Sequence, residues 1–226
     1  ILPHILDRFQ GIGVLLTTDT DDRIVQILQD ANAFIGRGES NINAIGLHRR
    51  HGVQLALENS TEGHILRADV DHILRWLEQD PDEFDAVLEK IQEVDCTVIG
   101  RGPHSFQSIP RRLRETESIV NHIYSLITGQ NWDLMAAVRG LSRNAAKVIV
   151  EKSTVDTIGN DVDWPLLCRK HKLALNYIAS ERLTYQTEFD YANDLEDSKD
   201  QLPKSWALRI KLAYQHVTAM QPYMED

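Results

Sequence analysis

The chain has 226 residues, of which 42% are hydrophobic and 26% charged, an ordinary balance for a globular protein that excludes disordered and fibrous classes. A formal net charge of −10 argues against a broad nucleic-acid footprint, which needs a basic face to displace counterions from phosphates. No apolar run reaches the roughly 18 residues that span a bilayer, ILPHILDR at the start lacks the basic-then-apolar order of a signal peptide, and Cys96 and Cys168 belong to no CxxC or Cys/His cluster; the expectation is a cytoplasmic protein with two buried thiols and no transmembrane segment.

Gly13 to Thr18 is a short apolar, β-branched run suited to a buried first strand. Asp21 and Asp22 then open a helix through Ile24, Val25, Ile27 and Leu28 that ends near Asp30, with acidic residues at its positive end. A second strand over Ala33 to Ile35 closes on Gly36-Arg37-Gly38, and a helix is predicted from about Asn43 to Leu57. His64 to Ala68 reads as a third strand that delivers Asp69 and Asp71 at its carboxyl end. Of the two helical pieces that follow, the second has the best-marked start in the chain: Asp80 as N-cap, Pro81 at the first position and Glu83 at the capping-box position.

Cys96 to Ile99 is a fourth buried strand, punctuated by Gly100-Arg101-Gly102-Pro103. From about Pro110 the pattern is helical through Leu113, Glu117, Val120, Tyr124 and Ile127, then irregular around Asp133 to Ser142, then helical from Asn144 to Val150. Asp161-Val162-Asp163-Trp164-Pro165 opens a short helix up to Lys170, Leu175 to Ile178 reads as a last strand, and a charged loop from Asp190 to Lys204 precedes a helix from Trp206 to Met220. That last helix, with Trp206, Leu208, Leu212 and Tyr214, offers a face on which a second copy could pack as a homodimer. Strands alternating with amphipathic helices predict an α/β domain with a mostly parallel sheet, which binds ligands at the carboxyl ends of its strands. Asp69 and Asp71 fall at that edge, where two carboxylates can share a hard cation of the Mg²⁺ or Mn²⁺ type together with phosphate oxygens.

A longer pattern surrounds the doublet. GLHRRHGVQLAL from Gly46, HILRADVD from His64, DPDEF from Asp80 and DCTVIGR from Asp95 follow one another in an order that resembles the family 2 glycosyltransferases. The segment from Arg114 to Gln130, Asp133, Arg139-Gly-Leu-Ser-Arg, and NDVDWPLLCRK from Asn160 are similar to the later part of polyprenyl-phosphate and phosphoglycerate sugar transferases. The resemblance spans about residues 12 to 187.

It implies a GT-A-type, Rossmann-like domain over residues 1–188, with the charged loop and C-terminal helix of residues 189–226 packing on it. The implied activity is metal-dependent transfer of a sugar from a nucleotide-diphosphate donor to the hydroxyl of a small or lipid-linked acceptor. On that basis Asp69 and Asp71 hold the metal and the donor diphosphate, Arg49 or Arg50 reaches the diphosphate and Arg101 closes over it, Asp19 contacts the nucleoside unless the site is degenerate, and Asp161 or Asp163 is the base for the acceptor. Helix N-capping is the plain alternative for the last two. Where the family carries an Asp-Asp-x-Ser-x-Asp run for the base, this chain has Gly36-Arg-Gly-Glu-Ser-Asn. A catalytically silent binding or assembly module is the alternative function; a nucleotidyltransferase is a third, but the glycine-rich basic loop it needs is missing after Leu16. His48 and His51 lie one helical turn apart with no third ligand near them in sequence.

Overall fold

The computed structural model describes residues 1–184 and 198–224. Among the described residues ten α-helices and six strands occur in chain order: α1 (Leu2–Leu6), β1 (Gly13–Thr17), α2 (Asp22–Asp30), β2 (Phe34–Gly38), α3 (Ile45–Glu58), β3 (Ile65–Arg67), α4 (Val70–Gln79), α5 (Pro81–Lys90), β4 (Cys96–Arg101), α6 (Pro103–Ser108), α7 (Arg111–Thr128), β5 (Val138–Leu141), α8 (Arg143–Lys152), α9 (Asn160–Lys170), β6 (Leu175–Ser180) and α10 (Pro203–Met220). The predicted boundary at 188/189 and most of the charged loop lie outside the described residues.

The local signals act as their chemistry dictates. Asp21 caps α2 by accepting from the Arg23 backbone N–H at 2.8 Å, and Asp80 caps α5 by accepting from that of Glu83 at 3.0 Å. The Glu83 side chain turns away from the reciprocal box bond and accepts instead from Trp76 Nε1 and Ser180 Oγ. β2 runs through Gly36 and Gly38, which the sequence presents as punctuation. A Cβ on Gly36 would stand 2.9 Å from Leu15 and Leu55, so glycine there lets α3 lie close on the strand.

The sheet departs from the mostly parallel expectation. β1 and β2 form a parallel pair of their own, while β3, β5, β4 and β6 form a mixed four-stranded sheet in that order. β5 runs antiparallel to both β3 and β4, and β4 is parallel to β6, so one reversed strand is inserted among three that share a direction. Val138-Arg139-Gly140-Leu141 carries an arginine and a glycine in four residues and shows no apolar alternation, which is why the stretch reads as irregular. Its glycine is required because Ile91 packs directly against it. Helices α1 and α6, each of five or six residues, are too short to carry a period.

Period-two alternation sorts the sheet residues onto two faces. Ile99 and Val138 meet Trp76, Phe84, Val87 and Ile91 of the α4–α5 layer. On the opposite face Ile65, Cys96 and Leu141 form one rung under Val53, Ala145, Ile149, Trp164 and Cys168 of α3, α8 and α9. Val98 and Tyr177 pack under α7, α9 and α10. Both cysteines are buried and free, as expected. The predicted dimer face of α10 divides: Leu212 is buried and Trp206 donates to the Asp200 carbonyl within the chain, whereas Leu208 and Tyr214 stand exposed. No helix among the described residues is long and apolar enough to cross a membrane.

Candidate functional site

One rung nearer the strand ends, the second face changes character. Arg67 of β3 and Arg139 of β5 are paired across the ladder, and Arg139 is in turn paired with Val98. Because β5 is reversed, its first residues lie at the carboxyl ends of β3 and β4. Like charges directly opposite one another destabilise a sheet unless counter-charges are supplied. Two aspartates supply them here, one from the turn after β3 and one from the start of α9.

Arg49 of α3 joins the two. Its Nη2 donates to Asp69 Oδ2 at 2.8 Å, and its Nη1 donates to Asp161 Oδ1 at 2.7 Å and to Asn160 Oδ1 at 3.2 Å. Arg67 donates to the other oxygen of Asp69 and to the Ala137 carbonyl. Arg139, 1% exposed, donates to the carbonyls of Val138 (2.7 Å), Leu134 (2.8 Å) and Asp161 (2.8 Å), and its Nε has no hydrogen-bond partner among the described residues. Asp161 Oδ2 lies 3.4 Å from His216 Nε2 of α10. Arg49 can reach across because α3 sits directly on the loop before α9: Leu47 N–H donates to the Asp156 carbonyl at 3.0 Å, and Gly46 has no side chain to hold the backbones apart.

Three arginines, Arg49, Arg67 and Arg139, thus gather around two aspartates, Arg139 reaching only the backbone carbonyl of Asp161, with a surplus of one positive charge in a largely dry site. Burial pushes Arg67 down to about 10, and the neighbouring charge of Arg49 adds to that effect against the pull of Asp69. Burial likewise lowers Arg139. For Arg49 burial acts the same way, but Asp161 and Asp69 outweigh it and hold it above its ordinary value. Burial opposes ionisation of Asp69 and Asp161 as well; Arg67 and Arg49 overcome it at Asp69, held at about 2, and Arg49 overcomes it at Asp161, which is lowered.

These shifts set an acid limit on stability. Asp69 has a folded value of about 2 against an ordinary 3.8, so its contribution is complete above about pH 4 and is lost as pH falls through 2. Its side chain is 41% exposed, so solvent screening leaves about 1 kcal/mol of that contribution. Asp161, lowered and 4% exposed, acts with the same sign. Between pH 5 and pH 2 the unfolding midpoint of Asp69→Asn should fall less steeply than that of the unsubstituted protein; parallel slopes would remove Asp69 from the account.

The other predicted residues scatter around this cluster. Asp71 is exposed in the first turn of α4, with no hydrogen-bond partner among the described residues. Asp163, two residues past Asp161 on α9, faces different partners, accepting from Ser153 Oγ at 2.7 Å and Tyr223 OH at 3.1 Å, and burial raises it. Arg50 donates to Asp156 Oδ1 at 2.6 Å. Asp19 is exposed in the turn after β1, where Thr18 Oγ1 lies 3.4 Å away. Arg101 closes a second buried network at the end of β4: its Nε donates to Asp133 Oδ2 at 2.7 Å and its Nη2 to Glu117 Oε2 at 2.6 Å, with the guanidinium 5.1 Å from the Phe106 ring centre. Arg209 of α10 pairs with the second oxygen of Glu117.

Four participants carry no function in the sequence reading: Arg67, Arg139 as a sheet residue, His72 and His216. Arg67 is signalled in principle, since it alternates with Ile65 on a strand with a buried face. His72 follows the aspartate doublet, and its Nδ1 is enclosed without a hydrogen-bond partner among the described residues; burial keeps the ring below its ordinary value. His216 has no local signal, because its partner lies 55 positions away. Compared with family models, curated proteins and solved structures, the chain matches none of them.

Proposed function

We propose that the chain binds a nucleotide-diphosphate sugar at the carboxyl-end edge of the mixed sheet and transfers the sugar to an acceptor hydroxyl, as the resemblance to family 2 glycosyltransferases implies. The observation that carries this reading is the surplus of positive charge on Arg49, Arg67 and Arg139, with Asp69 exposed at its edge. A diphosphate docked there would supply the missing negative charge and relieve the repulsion on Arg67. The edge is also where α/β sheets take their ligands, which supports a GT-A-type reading of the fold.

A divalent cation enters this proposal with the donor. Among the described residues no three His, Cys, Asp or Glu side chains gather as a cage. Asp69 has both oxygens on guanidinium groups, and the exposed Asp71 has no hydrogen-bond partner among the described residues. Such a donor set fits Mn²⁺ or Mg²⁺ arriving with phosphate oxygens, with Asp71 as the protein ligand and Asp69 beside it. When bound, the ion would neutralise charge that grows on the leaving diphosphate.

The base has two candidates, and each is buried with both oxygens engaged, Asp161 by Arg49 and His216 and Asp163 by Ser153 and Tyr223. A general base needs hydrogen-bond reach to the acceptor hydroxyl. This occupancy favours a second reading, a silent module that binds the nucleotide and does not turn over. Titration calorimetry with UDP and GDP, with and without Mn²⁺, tests the shared part: binding strengthened by metal is expected, with the gain from metal lost in Asp71→Ala, and no binding of either nucleotide under any condition ends both readings. Release of nucleoside diphosphate from a bound nucleotide sugar then separates enzyme from module.

A further inference from the structure

We propose that His216, on the C-terminal helix, is a positioning residue for the arginine cluster: it fixes Asp161, and through Asp161 it fixes the guanidinium of Arg49 against Asp69. The ligand-binding consequence rests on the nucleotide-site reading above, whereas the positioning itself does not.

The imidazole is 2% exposed and faces an acceptor at each nitrogen, so it donates to both when each nitrogen carries a hydrogen. Nδ1 lies 2.8 Å from the Leu212 carbonyl of its own helix, and Nε2 lies 3.4 Å from Asp161 Oδ2. The first contact anchors the ring to α10, leaving the second to reach out of that helix. With Oδ2 facing His216, Asp161 turns Oδ1 to Arg49, whose other Nη then lies on Asp69. The chain of contacts therefore runs from α10 to the turn after β3 through four side chains.

The rest of α10 is fastened so that His216 has a fixed base. Arg209 Nη2 donates to buried Glu117 at 2.6 Å, Gln215 Nε2 lies 3.3 Å from Asn43 Oδ1, and a Cβ on Gly159, just before α9, would stand 2.7 Å from the Gln215 carbonyl. Glycine at 159 lets the two helices approach closely enough for the histidine to span them. A helix whose residues include none of the predicted site thereby sets the geometry of that site.

Two substitutions separate positioning from space filling. In His216→Gln the amide nitrogen takes the place of Nε2 and keeps a donor toward Asp161; in His216→Asn it takes the place of Nδ1, keeping the bond to Leu212 and losing Asp161. Titration of the full chain with UDP or GDP and Mn²⁺ should show affinity within about threefold of the unsubstituted protein for His216→Gln and about tenfold weaker for His216→Asn. Equal affinities for the two variants would overturn the inference. If the unsubstituted protein binds no nucleotide, the function reading fails and the positioning is decided by unfolding midpoints: the shifts of His216→Asn and Arg49→Met should then fall short of adding in the double variant, and strict additivity would overturn it.

Discussion

Asp161→Asn should lower the unfolding midpoint more than any other single substitution in the arginine cluster, by about 10 °C for a chain of this length, corresponding to roughly 3–5 kcal/mol. The site holds Arg49, Arg67 and Arg139 against Asp69 and Asp161, and the substitution leaves three cations with one anion. Asp161 is also the more deeply buried of the two anions, at 4% exposure against 41% for the Asp69 side chain, so its interactions are the less screened. Arg49→Met is the informative comparison. It removes the largest force that keeps Asp161 ionised against burial, but it also removes the repulsion that Arg49 exerts on Arg67 and Arg139.

Direct contacts at 2.7 and 2.8 Å outweigh repulsions between groups that do not touch, so Arg49→Met is still destabilising, though by less than Asp161→Asn. Thermal or urea unfolding of both variants gives the order. If Arg49→Met proves the worse of the two, the cluster is governed by individual pairs rather than by charge balance. Binding of a nucleoside diphosphate should recover more stability in Asp161→Asn than in Arg49→Met, since the ligand brings the negative charge that the first variant lacks.

The same cluster shows where sequence patterns reach and where they stop. Asp69 is legible because it ends a strand, and strand ends are local. That Arg49 would bind it is only partly legible: the arginine pair on α3 stands out, but its second partner is 112 residues away and follows from the docking of α3 on the loop before α9. Arg67 and Arg139 become neighbours only because β5 runs against β3, and the four residues of β5 carry too little apolar alternation to announce a strand. Asp163 shows a different limit. It stands beside Asp161 as the other candidate base, yet two residues along a helix is a turn of about 200°, so the two carboxylates face different surroundings. The resemblance names Arg101 for the diphosphate, and its side chain is closed among Asp133, Glu117 and Phe106, an arrangement set by α6, α7 and the segment before β5.

The glycines of α3 supply the second large effect, and they should respond with opposite signs. A Cβ on Gly46 would stand 2.7 Å from the Val155 carbonyl oxygen and closer still to that of Thr157. Both obstacles are backbone, so no side chain can swing aside; α3 or the loop before α9 must move. Gly46→Ala should therefore cost about 3 kcal/mol, near the upper end for overpacking. The displacement falls on the turn that carries Arg49, so nucleotide affinity should drop with stability. Gly52 lies in the same helix with nothing within 4 Å of its would-be Cβ. Gly52→Ala removes backbone freedom from the unfolded chain and should raise stability by about 0.5–1 kcal/mol. Unfolding curves and nucleotide titrations of the two variants together check the argument: a loss in both would mean that α3 is closely packed along its whole length, whereas a loss at 46 with a gain at 52 ties the effect to the seat of α3 against the α9 loop.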